Sequence, residues 1–91
     1  MTFVVRYHRL VVEEDIPKLS LVWRGKIRRA IEKKLTTSPD LYGKPFRRSL
    51  KGYRKLRVGD YRIIYRIEER TVKIFVILHR SVVYKSAESR I

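Results

Sequence analysis

The chain has no cysteine, so neither a disulfide nor a thiolate metal site is available to it. Its two histidines, His8 and His79, lie far apart in sequence, and no other cluster has metal-ligand spacing. No metal and no cofactor is expected. No apolar run approaches the length needed to cross a bilayer, so no membrane partner is expected either. The opening "MTFVVRYHRLVVEED" lacks the long apolar stretch of a signal peptide and turns acidic early, and the expectation is a soluble, reduced, cytoplasmic protein. Acidic residues are scarce as well: 9 Asp and Glu stand against 23 Lys and Arg, a net charge of +14. A small domain so charged repels itself and attracts polyanions: nucleic acid, an acidic protein or an anionic surface.

What is present fits one domain, residues 1–91, with room for one modest core. The charge is unevenly placed. Between Lys44 and Arg66 nine basic residues face a single acid, Asp60, which localises the candidate binding surface.

Residues 2–7, "TFVVRY", are β-branched and aromatic and read as a first strand. Val12, Ile16 and Leu19 then follow helical spacing, with Glu13, Glu14 and Asp15 near the start, where a helix dipole favours acids. Pro17 limits this to a short helix, broken near residues 17–20. Over residues 21–36, Trp23, Ile27, Ala30, Ile31 and Leu35 form one apolar stripe among basic residues, with Ser20 placed to cap the start. The spacing predicts a helix packed by that stripe on a sheet. Residues 38–52 hold Pro39, Gly43, Pro45 and Gly52 and read as a basic loop. From Tyr53 the pattern is β: three strands joined at Gly59–Asp60 and around Glu68–Thr71. The predicted class is α+β. An N-terminal strand is followed by two helices on one face of a mostly antiparallel sheet, which a C-terminal three-strand meander completes.

A two-residue turn at Gly59–Asp60 pairs Val58 with Tyr61, Arg57 with Arg62, Leu56 with Ile63 and Lys55 with Ile64, and carries Tyr53 towards Arg66. Because faces alternate along a strand, Val58, Tyr61, Leu56, Ile63 and Tyr65 face the helices. Tyr53, Lys55, Arg57, Arg62 and Arg66 share the other side. Pairing Ile67 with Val72 extends the split: Val72, Ile74, Val76 and Leu78 join the core, and Lys73, Phe75, Ile77 and His79 join the basic face. Slipping the register by one would bury three arginines. Arg57 opposite Arg62 is a like-charge pair, which a phosphate between them would turn into bidentate hydrogen bonds.

RNA can be cut on such a face without metal. A group must take the proton of a 2′-OH, others must neutralise charge on the phosphate, and another must protonate the leaving 5′-oxygen. The candidates are Lys55, Arg57, Arg62, Arg80, Tyr84 and His79. Arg47, Arg48, Lys51, Tyr53, Arg54 and Arg66 are candidate RNA contacts. Residue chemistry alone leaves catalysis and passive binding both open.

The stretch "LKGYRKLRVGDYRIIYRIEERTVKIFVILHRSVVY" (50–84) resembles the RelE/ParE toxin superfamily, and within it the RelE-like messenger-RNA interferases. The matching pieces are "LKG", "LRVGDYRIIY", the apolar strand and "HRSVVY", and the element order fits over nearly the whole chain. The resemblance implies the toxin of a type II toxin–antitoxin system. Such a toxin enters the ribosomal A site and cleaves messenger RNA through 2′-OH attack, with a cyclic phosphate product and no metal. Carried over by position, Lys55 resembles a proposed general base, and Arg62 the arginine that stabilises the phosphate. Arg80 resembles the arginine at the leaving group or transition state, and Tyr84 a tyrosine that stacks on the substrate. The sequence departs at Tyr53, where some members carry a second catalytic lysine; His79 is a candidate substitute acid or base. The family also implies an antitoxin partner whose acidic or amphipathic segment wraps the toxin. Some relatives poison DNA gyrase and cut no RNA, which leaves a non-nuclease toxin, or a non-catalytic RNA-binding module, as the alternatives.

Overall fold

The β-branched opening forms strand β1 (Val4–Tyr7) in the computed structural model, which describes residues 2–90. A wide π-type turn, Val11–Asp15, leads into a short helix α1 (Ile16–Lys18). Helix α2 (Leu21–Ala30) starts where expected: the Ser20 side chain accepts the Trp23 amide at 3.3 Å. It runs on through a second π-type stretch, Ile31–Leu35. Residues 38–52, read as a loop, instead carry a short helix α3 (Pro39–Tyr42) and a two-residue edge strand β2 (Lys44–Pro45). Pro39 fits the first turn of α3 because no amide is needed there. Then come β3 (Arg54–Val58), β4 (Tyr61–Glu68), β5 (Thr71–His79) and a helix the sequence pattern did not reveal, α4 (Val83–Arg90).

The sheet runs β1-β5-β4-β3-β2, with β1 parallel to β5 and the other neighbours antiparallel. The Gly59–Asp60 turn sets the expected register, with Val58 opposite Tyr61, Arg57 opposite Arg62 and Lys55 opposite Ile64. Gly59 takes φ 59°, free of strain only for glycine. A side chain there would also put its Cβ 2.3 Å from the Trp23 ring. Gly43 is needed for a different reason: a Cβ would lie 1.9 Å from the Tyr65 hydroxyl, which donates to the Pro39 carbonyl at 2.6 Å.

One residue breaks the alternation. Ile67 pairs with Val72 as expected, but Tyr65 pairs with Ile74 and Ile64 with Val76, so Phe75 is an extra residue on β5. Beyond this bulge the faces are exchanged. Ile77 packs with the helix-side core of Val11, Leu19, Ile27, Ile31 and Leu35, not on the basic face. Val76 and Leu78 leave that core and pack on the opposite side with Ile64, Val83 and Ala87. The basic face is therefore not open throughout, because α4 lies across part of it.

The bulge coincides with a second correction. The stripe read as Val12, Ile16 and Leu19 keeps Ile16, which packs part-buried on the core, and Leu19, but its other members are Val11 and Asp15: both are buried, and Val12 is 54% exposed. Asp15 goes inside because β1 stops at Tyr7, leaving the later part of β5 without a strand on that edge, though β4 still pairs with it on the other. One Asp15 oxygen accepts the Ile77 amide at 3.0 Å, and the carboxylate takes a bidentate grip from Arg90 at 2.7 and 2.8 Å. Arg90 also donates to the Phe75 carbonyl at 2.9 Å, and the carboxylate raises the arginine's pKa further. The backbone groups freed at the bulge are thus satisfied by one buried ion pair.

Two outcomes follow for stability. Asp15→Ala leaves a mostly buried guanidinium and an amide unpaired, and urea unfolding should show a loss of about 3–5 kcal/mol. Asp15→Leu combined with Arg90→Leu should lose less than that single change. Burial first of all pushes the Tyr65 phenol up to about 12, against about 10 in an unfolded chain. The folded state then holds this proton more tightly, so its contribution is fully present below about pH 10 and is lost as pH rises through about 12. The urea midpoint should fall between about pH 10 and about pH 12, and fall less in Tyr65→Phe.

Candidate functional site

The hairpin fixes the cations by geometry. Lys55 and Arg57 alternate with buried Leu56 on β3, and Arg62 precedes buried Ile63 on β4, so all three point away from the helices. Strand β2 adds Lys44 opposite Lys55. The first turn of α4 brings Tyr84. Together with Tyr42 these residues line a hollow of about 280 Å³, and among the described residues no carboxylate lines it.

Lys55 stands among aromatic rings in this hollow. Its Nζ lies 3.4 Å from the Tyr84 hydroxyl, 5.4 Å from the centroid of that ring and 5.7 Å from that of Phe46. The two rings meet edge to face at 6.1 Å, so the ammonium is caged by aromatic faces. Arg62 relieves its repulsion with Arg57 by turning back on the hairpin, where it donates to the carbonyls of Gly59 at 2.9 Å and Tyr61 at 3.0 Å. Arg57 stays exposed.

Of the six candidates for chemistry, the structure brings Lys55, Arg57, Arg62 and Tyr84 into one hollow. Arg80 stands at the same end of the sheet without lining it. Its amide donates to the Asp60 carbonyl at 2.8 Å, and its 62%-exposed side chain lies 4.0 Å from the Asp60 carboxylate. His79 is on the other side. The bulge at Phe75 turns it towards the helices, where it meets Tyr61 edge-on at 5.6 Å. Its Nδ1 lies 2.9 Å from the Ser81 hydroxyl and accepts the Ser81 amide at 3.2 Å.

The candidate RNA contacts are split as well. Arg54 is turned to the helix side, since it pairs with buried Tyr65. It donates to the carbonyls of Asp40 at 3.1 Å and Gly43 at 2.9 Å and so fastens α3 in place. Arg47, Arg48 and Lys51 stand exposed on the loop after β2. Tyr53 and Arg66 lie at the far end of the basic face, with the guanidinium 5.7 Å over the ring. Tyr42 and Lys44 were not among the sequence candidates. Reading "KP" as an edge strand beside β3 would have placed Lys44 opposite Lys55.

The hollow gathers four cations with no carboxylate partner among the described residues, a charge arrangement that suits a phosphate. The caged lysine within hydrogen-bond reach of a phenol adds a route for a proton. Among the described residues no helix is long and apolar enough to cross a membrane.

Comparison with known proteins shows the family of the chain. Residues 5–84 match the family described as the ParE toxin of type II toxin–antitoxin system, parDE. The curated protein Toxin RelE of Mycobacterium tuberculosis (strain ATCC 25618 / H37Rv) is 40% identical over 53 residues, covering 56% of this chain and 55% of that protein. The match thus spans about half the length of that relative. Among solved structures, the toxin–antitoxin complex RelBE2 from Mycobacterium tuberculosis superposes with a TM-score of 0.81 at 32% identity, covering 88% of this chain and 100% of that chain. A mutant of the E. coli toxin RelE in the free state has a TM-score of 0.78 at 18% identity, over 100% of this chain and 99% of that one; this second likeness is one of fold.

The hollow predicts a trade between stability and anion binding. Arg57→Gln removes a like-charge pair and should stabilise the free protein by a few tenths of a kcal/mol in phosphate-free buffer. The same variant should lose most of the thermal stabilisation that inorganic phosphate gives the unmodified chain, which approaches about 2.7 kcal/mol at a hundredfold excess over Kd. Thermal melts with and without phosphate measure both.

Proposed function

Because the chain belongs to the RelE/ParE toxin superfamily, as a toxin of a type II toxin–antitoxin system, we propose that it is a metal-independent endoribonuclease that cuts messenger RNA on the ribosome. The observation that carries this reading is the carboxylate-free hollow in which Lys55 and Tyr84 are in contact beside Arg57 and Arg62. A toxin acting only by binding has no need of a caged lysine next to a phosphate trap.

In this reading the messenger lies along the basic face as a single domain acting in the cytoplasm enters the ribosomal A site. Lys55, acting as the neutral amine, takes the proton of a 2′-OH, whose oxygen attacks the adjacent phosphorus. Arg57 and Arg62 receive the charge that grows on the non-bridging oxygens. The bond to the 5′-oxygen breaks and that oxygen takes a proton from water, leaving a 2′,3′-cyclic phosphate and a 5′-hydroxyl. Arg80, exposed at the turn, is assigned to the leaving oxygen, and Tyr84 stacks on a neighbouring base. His79 faces away and is left out of this set. The partner that silences the toxin is an antitoxin with an acidic, amphipathic segment. The +14 charge and the relative solved as a toxin–antitoxin complex support that assignment.

The family match to a ParE toxin favours a second reading, a non-nuclease toxin that inhibits DNA gyrase. Induced expression followed by mapping of messenger 5′ ends on translating ribosomes separates the two. New 5′-hydroxyl ends within codons, reduced roughly 100-fold or more in Arg62→Ala and in Lys55→Ala, support the nuclease. Intact messenger with stalled replication refutes it in favour of the gyrase inhibitor.

A further inference from the structure

Like charges are set side by side a second time, at the opposite end of the same sheet face. Arg6 on β1 is the register partner of Lys73 on β5, and Lys73 is the partner of Arg66 on β4. Their strand neighbours Val5, Ile74 and Tyr65 pack into the helix-side core, so the three cations share the outer face. Such a row is destabilising unless it meets negative charge. Among the described residues Glu68 is the one carboxylate that lines this region. It accepts from Lys73 at 3.2 Å and from Arg66, and these two hydrogen bonds, Lys73 first, hold its carboxyl below the usual range. Three cations against one carboxylate leave two positive charges unbalanced.

Beside the row lies a hollow of about 340 Å³, and its walls are aromatic. His8 meets Phe75 edge-on at 5.1 Å, and Tyr53 lies at 5.3 Å from Phe75, tilted by 40°. A simple anion site has no use for three rings, and an apolar pocket has no use for three cations. Rings for a base and cations for its phosphate are what a nucleotide of single-stranded nucleic acid requires.

We propose that this hollow is a second RNA subsite, which takes one base and phosphate of the same strand that is cut at the Lys55–Arg62 hollow. It rests on the nuclease reading. Arg62 and Arg66 are four residues apart on β4, about 13 Å along the strand. A single nucleotide cannot touch both ends, so the second subsite holds a neighbouring part of the message, which passes around α4, and fixes the direction of the strand.

The test uses the full chain and uncleavable 2′-O-methyl RNA, single-stranded, about 2 and about 10 nucleotides long, at one fixed salt concentration. Fluorescence anisotropy should show the longer probe binding about tenfold tighter than register counting explains. Arg6→Gln with Lys73→Gln should remove that gain while leaving the short probe's affinity within about twofold. Tyr53→Leu should reduce the gain as well. Arg29→Gln with Lys33→Gln removes equal charge from the helix side and should keep the gain. A gain that survives in the Arg6/Lys73 variant, or disappears equally in the Arg29/Lys33 variant, overturns the subsite and leaves the first hollow intact. Two short probes that bind at once with no benefit from being joined also overturn it, since the hollow then takes a separate strand. RNA of either length failing to bind at all overturns the subsite, while the nuclease reading stands or falls on the mapping of messenger 5′ ends on translating ribosomes.

Discussion

A buried ion pair decides what this sheet can display. Asp15 and Arg90, 1% and 9% exposed at their side chains, close on each other at the point where β5 has lost β1 from one edge and gained an extra residue. Burying two charges is expensive, and the cost is offset only when the remaining hydrogen-bonding capacity is also filled. Here it is filled by the Ile77 amide and the Phe75 carbonyl. With those groups satisfied, the bulge is tolerated. The bulge then sends Ile77 into the helix-side core and Val76 to the other face, and so gives α4 an apolar bed. Because α4 is seated there, Tyr84 stands over Lys55. The chemistry of the hollow is thus tied to a bond at the other end of the same helix.

The cations are arranged with similar economy. Arginine and lysine side chains are mobile on a loop but aligned on paired strands, and here the strands are rigid because both their faces are covered. The helix side supplies most of the apolar contact and the α4 side the rest. What stays uncovered is a band of positive charge at each end of the outer face. Self-repulsion within these bands is relieved locally, by hairpin carbonyls around Arg62 and by Glu68 around Arg66. Neither arrangement removes the net charge, so the bands keep their attraction for a polyanion.

Much of this was legible in the residues. The Gly-Asp pair dictated the turn, the turn dictated the register, and the register placed Lys55, Arg57 and Arg62 together. The stripe on α2 and its Ser20 cap were equally plain, since both depend on local spacing. Illegible were the features that depend on contacts between distant parts of the chain. An acid in a run of acids reads as surface, and nothing local marks Asp15 as the partner of Arg90, 75 positions away. A bulge has no composition of its own, so strict alternation carried His79 to the wrong face and left Ile77 outside the core. Arg54 looked like one more cation in a basic stretch, yet its side chain holds two carbonyls. α4 was missed because its apolar contacts, Val83 and Ala87, are too few for a stripe.

The chain's one tryptophan sits directly behind the hairpin. Its ring rests on Gly59, lies 4.9 Å from Tyr61 and carries the Lys26 ammonium at 4.9 Å. Arg57 and Arg62 project from the front of that same hairpin. Indole emission responds to the polarity and charge around the ring, so this side chain is an optical gauge of the reversal, mounted where no ligand in the front hollow can touch or quench it directly. Movement of the turn is therefore visible in unlabelled protein.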